Sequence, residues 1–159
     1  MVSIGIVALN EEVALPTLLE DVLKQDFPRN RMELLLADSG STDQTRAIMD
    51  RFAAEHGEEF VGVKVLDNPG RIAAAGINVC LGVYTGDAFV RIDAHSTIPA
   101  NFISSCVAVL EEGEQVAAGP RPTMAFPETN WTNTLLVAEE SAFGSSVADC
   151  RFRAEKSYV

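Results

Sequence analysis

Short β-rich apolar runs alternate along this chain with stretches of helical periodicity. Val2–Val7 and Met32–Ala37 are unbroken and read as strands buried on both faces; Val61–Leu66 and Ala88–Ile92 read as a third and fourth strand. Between the first two, Leu15, Leu18, Leu19, Val22 and Leu23 form a stripe at the 3.6-residue period, with Pro16 tolerable in the first turn. Phe27-Pro28-Arg29-Asn30 is a turn. Ser41 followed by Gln44 fits a capping box for a second helix, with Gly57 as its stop. Asn68-Pro69-Gly70 makes another turn, and Ala73–Leu81 reads as a third helix. Pro99 starts a further helix through Leu110, followed by a short fifth strand at Val116–Ala118. Such alternation predicts an α/β fold with a mostly parallel sheet and helices on both faces. From about Pro120 the pattern breaks: Pro120, Pro122 and Pro127 come close together, then a helix near Trp131–Phe143, then a polar tail.

Chemistry in such a sheet gathers outside the carboxyl ends of the strands. Three strand ends here carry polar groups: Asn10-Glu11-Glu12 after the first, Asp38-Ser39-Gly40-Ser41-Thr42-Asp43 after the second, and Asp93-Ala94-His95 after the fourth. Parallel strands put all three on one edge. Asn10, and Ser41 or Thr42, have an ordinary reading as helix caps. Asp38 does not, because it follows Leu34-Leu35-Leu36-Ala37 at a buried strand's mouth. Asp93 and His95 lie two apart on an extended segment, point to the same side and can converge on one ion. A carboxylate with one imidazole suits Mn²⁺ or a similar borderline ion better than Ca²⁺. Arg71 precedes the third helix, where charge and helix dipole together hold phosphate oxygens.

The bulk numbers bound the partners. With 159 residues the chain is long enough to bury a core without disulfides or structural metal. A formal net charge of −11 argues against nucleic acid or acidic lipid as a non-specific partner, and repels any anionic ligand unless a cation intervenes. Cys80, Cys106 and Cys150 are widely spaced, with no Cys-x-x-Cys pair; Cys80 and Cys106 lie in apolar runs and read as core residues, and the pattern points to a reducing compartment. No run approaches the roughly 20 apolar residues of a membrane span, and Met1 leads directly into a strand with no signal peptide, so a cytoplasmic domain is expected.

As a set, Val2 to Glu12, Ala37-Asp38-Ser39-Gly40-Ser41-Thr42-Asp43, Asn68-x-Gly70 with Ala75 and Asn78, and Gly86-Asp87 before Arg91-Ile92-Asp93-Ala94-His95 resemble a family 2 glycosyltransferase. The Ile-Asp-Ala-His form and Gly119-Pro120-Arg121 are similar to the branch of succinoglycan-type bacterial glucosyltransferases. That resemblance implies a Rossmann-like GT-A fold, with residues 1–120 binding a nucleotide-sugar donor and 121–159 beginning an incomplete acceptor-binding part. It implies an inverting enzyme that transfers a hexose from a UDP-sugar to a glycan or lipid-linked acceptor in bacterial polysaccharide synthesis. By similarity, Ala8, Glu11 and Asp38 line the uridine pocket, and Arg71 approaches the pyrophosphate. Asp93 faces the ribose and the metal, and His95 stands as the second ligand to Mn²⁺ or Mg²⁺. Three positions depart from the family pattern: Leu9 for a frequent aromatic, Ser39 for a second acidic residue, and His95 for an aspartate.

Inverting transfer needs a general base for the acceptor hydroxyl. Glu139-Glu140 sits in a helix-like stretch unlike the family's acceptor motif, so the base is expected beyond Val159. The chain then reads as the donor-binding part of a longer enzyme, with any attachment to the inner face of the membrane also beyond it. Ala8-Leu9-Asn10-Glu11-Glu12 lacks the Gly-rich basic loop of a nucleotidyltransferase and the Gly-x-Gly-x-x-Gly of a dehydrogenase. The remaining rival is a non-catalytic nucleotide-binding module on a degraded transferase fold.

Overall fold

Parallel pairing organises the chain. β1 (Val2–Ala8), β2 (Met32–Asp38), β3 (Gly62–Asp67) and β4 (Ala88–Asp93) form a sheet in the order β3-β2-β1-β4, with every neighbouring pair parallel. The structure is a computed structural model and describes residues 1–117 and 129–140. β2 is buried at every position, as a strand between two others and under helices must be.

α1 (Leu15–Leu23) connects β1 to β2, α2 (Thr45–His56) connects β2 to β3, and α3 (Ala73–Leu81) carries the chain back to β4 on the far side of β1. Right-handed crossovers send α1 and α2 to one face and α3 to the other. The packing follows that division. Cys80 of α3 is buried in one cluster with Leu35 and Ala37, against Val7, Leu66 and Phe89. A Cβ on Gly76 would lie 2.5 Å from Val7 Cγ1, so glycine lets α3 sit directly on β1. The alternate residues Ile4, Ile6, Leu34 and Leu36 point the other way. They are fully buried, as are Leu15, Leu18 and Val22 of α1 and Met49 of α2.

Several local expectations change. β1, β2 and β4 each run one residue further than the apolar runs, and β3 runs Gly62–Asp67, so the strands end on Ala8, Asp38, Asp67 and Asp93. The Ser41–Gln44 capping box does not form. Gly40, at φ 78°, turns the chain, Asp38 Oδ1 accepts the Ser41 N–H at 3.1 Å, and α2 starts only at Thr45. Asn10 does not cap α1, whose N-cap is Ala14. Gly57 is not a left-handed stop; at φ −56° it leads into a 3₁₀ turn over Gly57–Glu59. The expected fifth strand is absent at Val116 and Ala117, where the chain is irregular and Val116 is exposed; Ala118 lies outside the described residues.

The chain divides into two compact units, Met1–Ser105 and Cys106–Val159. α4 (Phe102–Glu111) begins in the first, with Phe102 N–H donating to the Pro99 carbonyl at 3.0 Å. In the second, α5 (Asn130–Glu140) is capped by Thr129 and Thr132, each hydroxyl accepting the other's backbone N–H at 3.1 and 2.9 Å. Gly119-Pro120-Arg121, the three prolines, Phe143, Cys150 and the tail lie outside the described residues. Among the described residues no helix is long and apolar enough to cross a membrane.

Candidate active site

The strand order reverses at β1, so a crevice opens between the carboxyl ends of β1 and β4. Register sets Val7 opposite Asp93 and Ala8 opposite Asp38. A cleft of about 260 Å³ lies there, and Ala8, Glu11, Arg71, Asp93 and His95 all line it. A second cleft of about 240 Å³ is lined by Asp38, Gly40, Asp67, Asn68 and Arg71. Arg71 is common to both. Five of the six predicted donor-side residues therefore meet in one cleft, with Asp38 reached through Arg71 in the other.

The loop after β1 is stitched to the loop after β2. Asn10, at φ 56°, accepts the Thr42 N–H on Oδ1 at 2.8 Å, while its own N–H donates to Ser41 Oγ at 3.0 Å. Glu11 N–H donates to Thr45 Oγ1 at 2.8 Å, and Glu12 Oε2 accepts the Gln44 N–H at 2.9 Å. Asp43 takes the N–H groups of both Thr45 and Glu12. Desolvation would raise its carboxyl, but these bonds outweigh it and hold the group below its ordinary range. The stitching fixes the Glu11 backbone, and the Glu11 carboxylate reaches His95, with Oε1 3.2 Å from Nδ1.

Arg71 is placed by a buried amide. Asn68 is 2% exposed, and its Nδ2 donates to Ser39 Oγ at 2.9 Å and to the Ile72 carbonyl at 3.0 Å. Its backbone N–H donates to the Asp38 carbonyl at 2.8 Å, and its carbonyl accepts the Arg71 N–H at 3.1 Å. This clamp supports Arg71 in the left-handed region at φ 56°, an unusual setting for a long side chain. The guanidinium then spans to the Gly40 carbonyl, with Nη2 at 3.2 Å. Ser39, in place of an acidic residue, serves this anchor: its N–H donates to the Ala8 carbonyl at 2.9 Å and its hydroxyl receives Asn68.

Two residues of the site carry no role in the sequence alone. Asn68 stands there in a turn and in the Asn68-x-Gly70 motif, without its part in holding Arg71. Arg91 stands there as a strand residue within the Arg91-Ile92-Asp93-Ala94-His95 motif, yet its Nε and Nη2 both donate to Asp93 Oδ1, at 3.1 and 2.7 Å. The signal for Arg91 is present in the alternation, since Arg91 and Asp93 share one face of β4. His95 departs from the expected extended run: the strand ends at Asp93, and Ala94 and His95 lie in a turn in which the Ser96 N–H donates to the Asp93 carbonyl at 2.9 Å.

Among the described residues, no three His, Cys, Asp or Glu side chains cluster closely enough to hold a metal ion by themselves. Asp93 and His95 contribute a carboxylate and an imidazole to the lining of the cleft. That donor set fits a divalent ion whose remaining ligands come from phosphate oxygens and water.

The chain matches the family model "Glycosyl transferase family 2" over residues 3–152. The chain belongs to that family. Family 2 relatives include the succinoglycan biosynthesis protein ExoA of Rhizobium meliloti, 37% identical over 148 residues, covering 92% of this chain and 42% of the relative. The undecaprenyl-phosphate 4-deoxy-4-formamido-L-arabinose transferase of Pseudomonas savastanoi is 32% identical, covering 99% of this chain and 48% of the relative. The chain thus spans about half or less of the length of these curated relatives. Solved structures share the GT-A fold of this family 2 chain. The mannosyltransferase PcManGT of Pyrobaculum calidifontis, in complex with GDP-Man and Mn²⁺, superposes with TM-score 0.66 at 24% identity, over 78% of this chain and 35% of that one. S. aureus TarS 1–349 in complex with UDP gives 0.60 at 23% identity, over 80% and 40%.

Proposed function

We propose that this chain is the donor-binding part of an inverting glycosyltransferase and binds a UDP-sugar together with a divalent cation. One observation carries the reading: Ala8, Glu11, Arg71, Asp93 and His95 line one cleft at the reversal point of a parallel sheet. The binding of UDP by TarS and of GDP-Man with Mn²⁺ by PcManGT supports that class of ligand.

The charge of the protein sets the problem and the cleft answers it. A nucleotide diphosphate brings about two negative charges to a chain of net charge −11, and they need local cations. Arg71, common to both clefts, meets the diphosphate with a fork of N–H donors. Asp93 and His95 would hold Mn²⁺ or Mg²⁺, which when bound neutralises the diphosphate in the ground state and as the leaving group gathers charge. Ala8, Glu11 and Asp38 line the nucleoside side.

Transfer joins an acceptor hydroxyl to the anomeric carbon with inversion as the bond to UDP breaks, and the hydroxyl proton passes to a general base. We assign that base, and the glycan or lipid-linked acceptor, to an acceptor-binding part other than this cleft, whose own residues would bind the donor and stabilise the leaving diphosphate. With a lipid-linked acceptor, the work takes place at the inner face of the membrane. Calorimetric titration of UDP-glucose with and without Mn²⁺ tests the reading. Binding is expected with Mn²⁺ and is weak or lost without it. No binding under either condition favours a degraded, non-catalytic module, and sugar transfer by this chain alone contradicts the donor-only assignment.

A further inference from the structure

Both acids that line the main cleft, Glu11 and Asp93, already have a nitrogen partner beside them. Glu11 contacts His95, and Asp93 Oδ1 receives two N–H groups from Arg91. Arg91 and Asp93 are neighbours by strand alternation, so their pairing costs little chain entropy, and both line the cleft. The Arg91 side chain is 56% exposed, against 25% for Asp93. The guanidinium therefore sits on the solvent side of the carboxylate and is free to rotate away.

A divalent ion on Asp93 and a guanidinium on the same oxygen exclude one another by charge and by space. The displaced guanidinium then needs a new anion, and an arriving diphosphate supplies one. We propose that Arg91 is an exchange residue: it occupies Asp93 Oδ1 in the donor-free state and moves to the donor's phosphate oxygens when the cation takes Asp93. This rests on the donor-binding reading above. Arg91 acts in it as a positioning residue that makes binding of the metal and of the nucleotide depend on each other.

The exchange has a thermodynamic signature. Metal alone must displace Arg91 without offering it a replacement anion, so it binds weakly. Metal with nucleotide offers that anion, so each strengthens the other by the same factor. Removing the guanidinium should therefore tighten metal binding and weaken the coupling, the opposite of what loss of a simple phosphate ligand does to the metal.

The test is the affinity for Mn²⁺ alone, read from the electron paramagnetic resonance signal of the free ion, in wild type, Arg91→Gln and Arg91→Lys. Arg91→Gln should bind Mn²⁺ at least about fivefold more tightly than wild type, and UDP should improve its Mn²⁺ affinity by a smaller factor. Arg91→Lys, which keeps the charge but loses the two-donor fork, should gain less, and it serves alone if Arg91→Gln does not fold. Unchanged or weaker Mn²⁺ affinity in the variants, or no detectable Mn²⁺ binding by any of the proteins, overturns the proposal. Mn²⁺-dependent UDP binding by wild type with unchanged Mn²⁺ affinity in the variants overturns the exchange alone. Absence of any UDP binding by wild type overturns the donor-binding reading with it.

Discussion

His95 Nδ1 lies 3.2 Å from Glu11 Oε1, joining residues 84 apart in the sequence across the mouth of the sheet. They meet because β1 pairs with β4 rather than with β3, so the loop after the first strand faces the end of the fourth. Replacing Glu11 with alanine removes a cleft wall without touching the core. UDP-glucose affinity in Mn²⁺ should fall by about tenfold or more, the loss of one charge-assisted contact, while the melting temperature stays within a few degrees of wild type.

Arg71 should separate the diphosphate from the nucleoside. Arg71→Ala is expected to weaken UDP-glucose by about tenfold or more through loss of charge-assisted hydrogen bonds, and to leave uridine affinity unchanged. Calorimetry with the two ligands checks this; equal losses for both would place Arg71 elsewhere.

His95→Asp replaces the imidazole with a third carboxylate in the cleft, beside Glu11 and Asp93. Replacing an imidazole with a hard oxygen donor shifts preference toward Mg²⁺ over Mn²⁺. The ratio of Mg²⁺ to Mn²⁺ needed for half-maximal UDP binding should fall relative to wild type.

Glu33 supports the sheet at its other end. It is almost fully buried and accepts bonds from Lys64 Nζ at 2.8 Å, Ser3 Oγ at 2.6 Å and Thr85 N–H at 2.9 Å. Burial alone would raise its carboxyl, but the bonds from Lys64, Ser3 and Thr85 outweigh it and hold the group at about 2 instead of 4.5. A depressed folded value means the contribution to stability is complete above pH 4.5 and drains away as pH falls toward 2. Glu33→Gln should cost ~1–3 kcal/mol at neutral pH and flatten the acid limb of the stability curve. Denaturant unfolding between pH 7 and 2.5 checks both, with UDP affinity at neutral pH as the control that should not move.

Gly76 sets how closely α3 approaches the cleft. Alanine there brings a Cβ within 2.5 Å of Val7 Cγ1 and 2.9 Å of Asn68 Nδ2. Gly76→Ala should cost ~1–3 kcal/mol through overpacking and weaken UDP binding as well, because the same displacement reaches the amide that clamps Arg71.

The strand ends and their carboxylates are legible in the sequence because burial writes a continuous apolar run, and a charged residue after such a run stands at its mouth. Convergence of Ala8, Glu11, Asp93 and His95 follows from parallel pairing, which helical crossovers impose. The rest depends on competition that spacing does not encode. Ser41 has the spacing of a capping residue, yet its hydroxyl accepts the Asn10 N–H from a loop 31 residues away. Asn68 reads as a turn residue, but its amide is the buried anchor of both adjoining loops. Arg91 stands in the Arg91-Ile92-Asp93-Ala94-His95 motif without a role of its own there, and only the geometry of β4 shows that its fork closes on Asp93. Val116 and Ala117 have strand composition but no strand partner among the described residues.

Receipt of the sugar nucleotide by this cleft can be followed residue by residue. Backbone amide NMR of the ¹⁵N-labelled chain, titrated with UDP-glucose in Mg²⁺, tests it most directly. Shifts are expected to concentrate at Ala8, Glu11, Asp38, Arg71, Asp93 and His95, with Glu33 and Lys64 unmoved, and to be lost in Asp93→Asn. Shifts centred away from the β1 and β4 ends, or a spectrum unchanged at saturating donor, would contradict it.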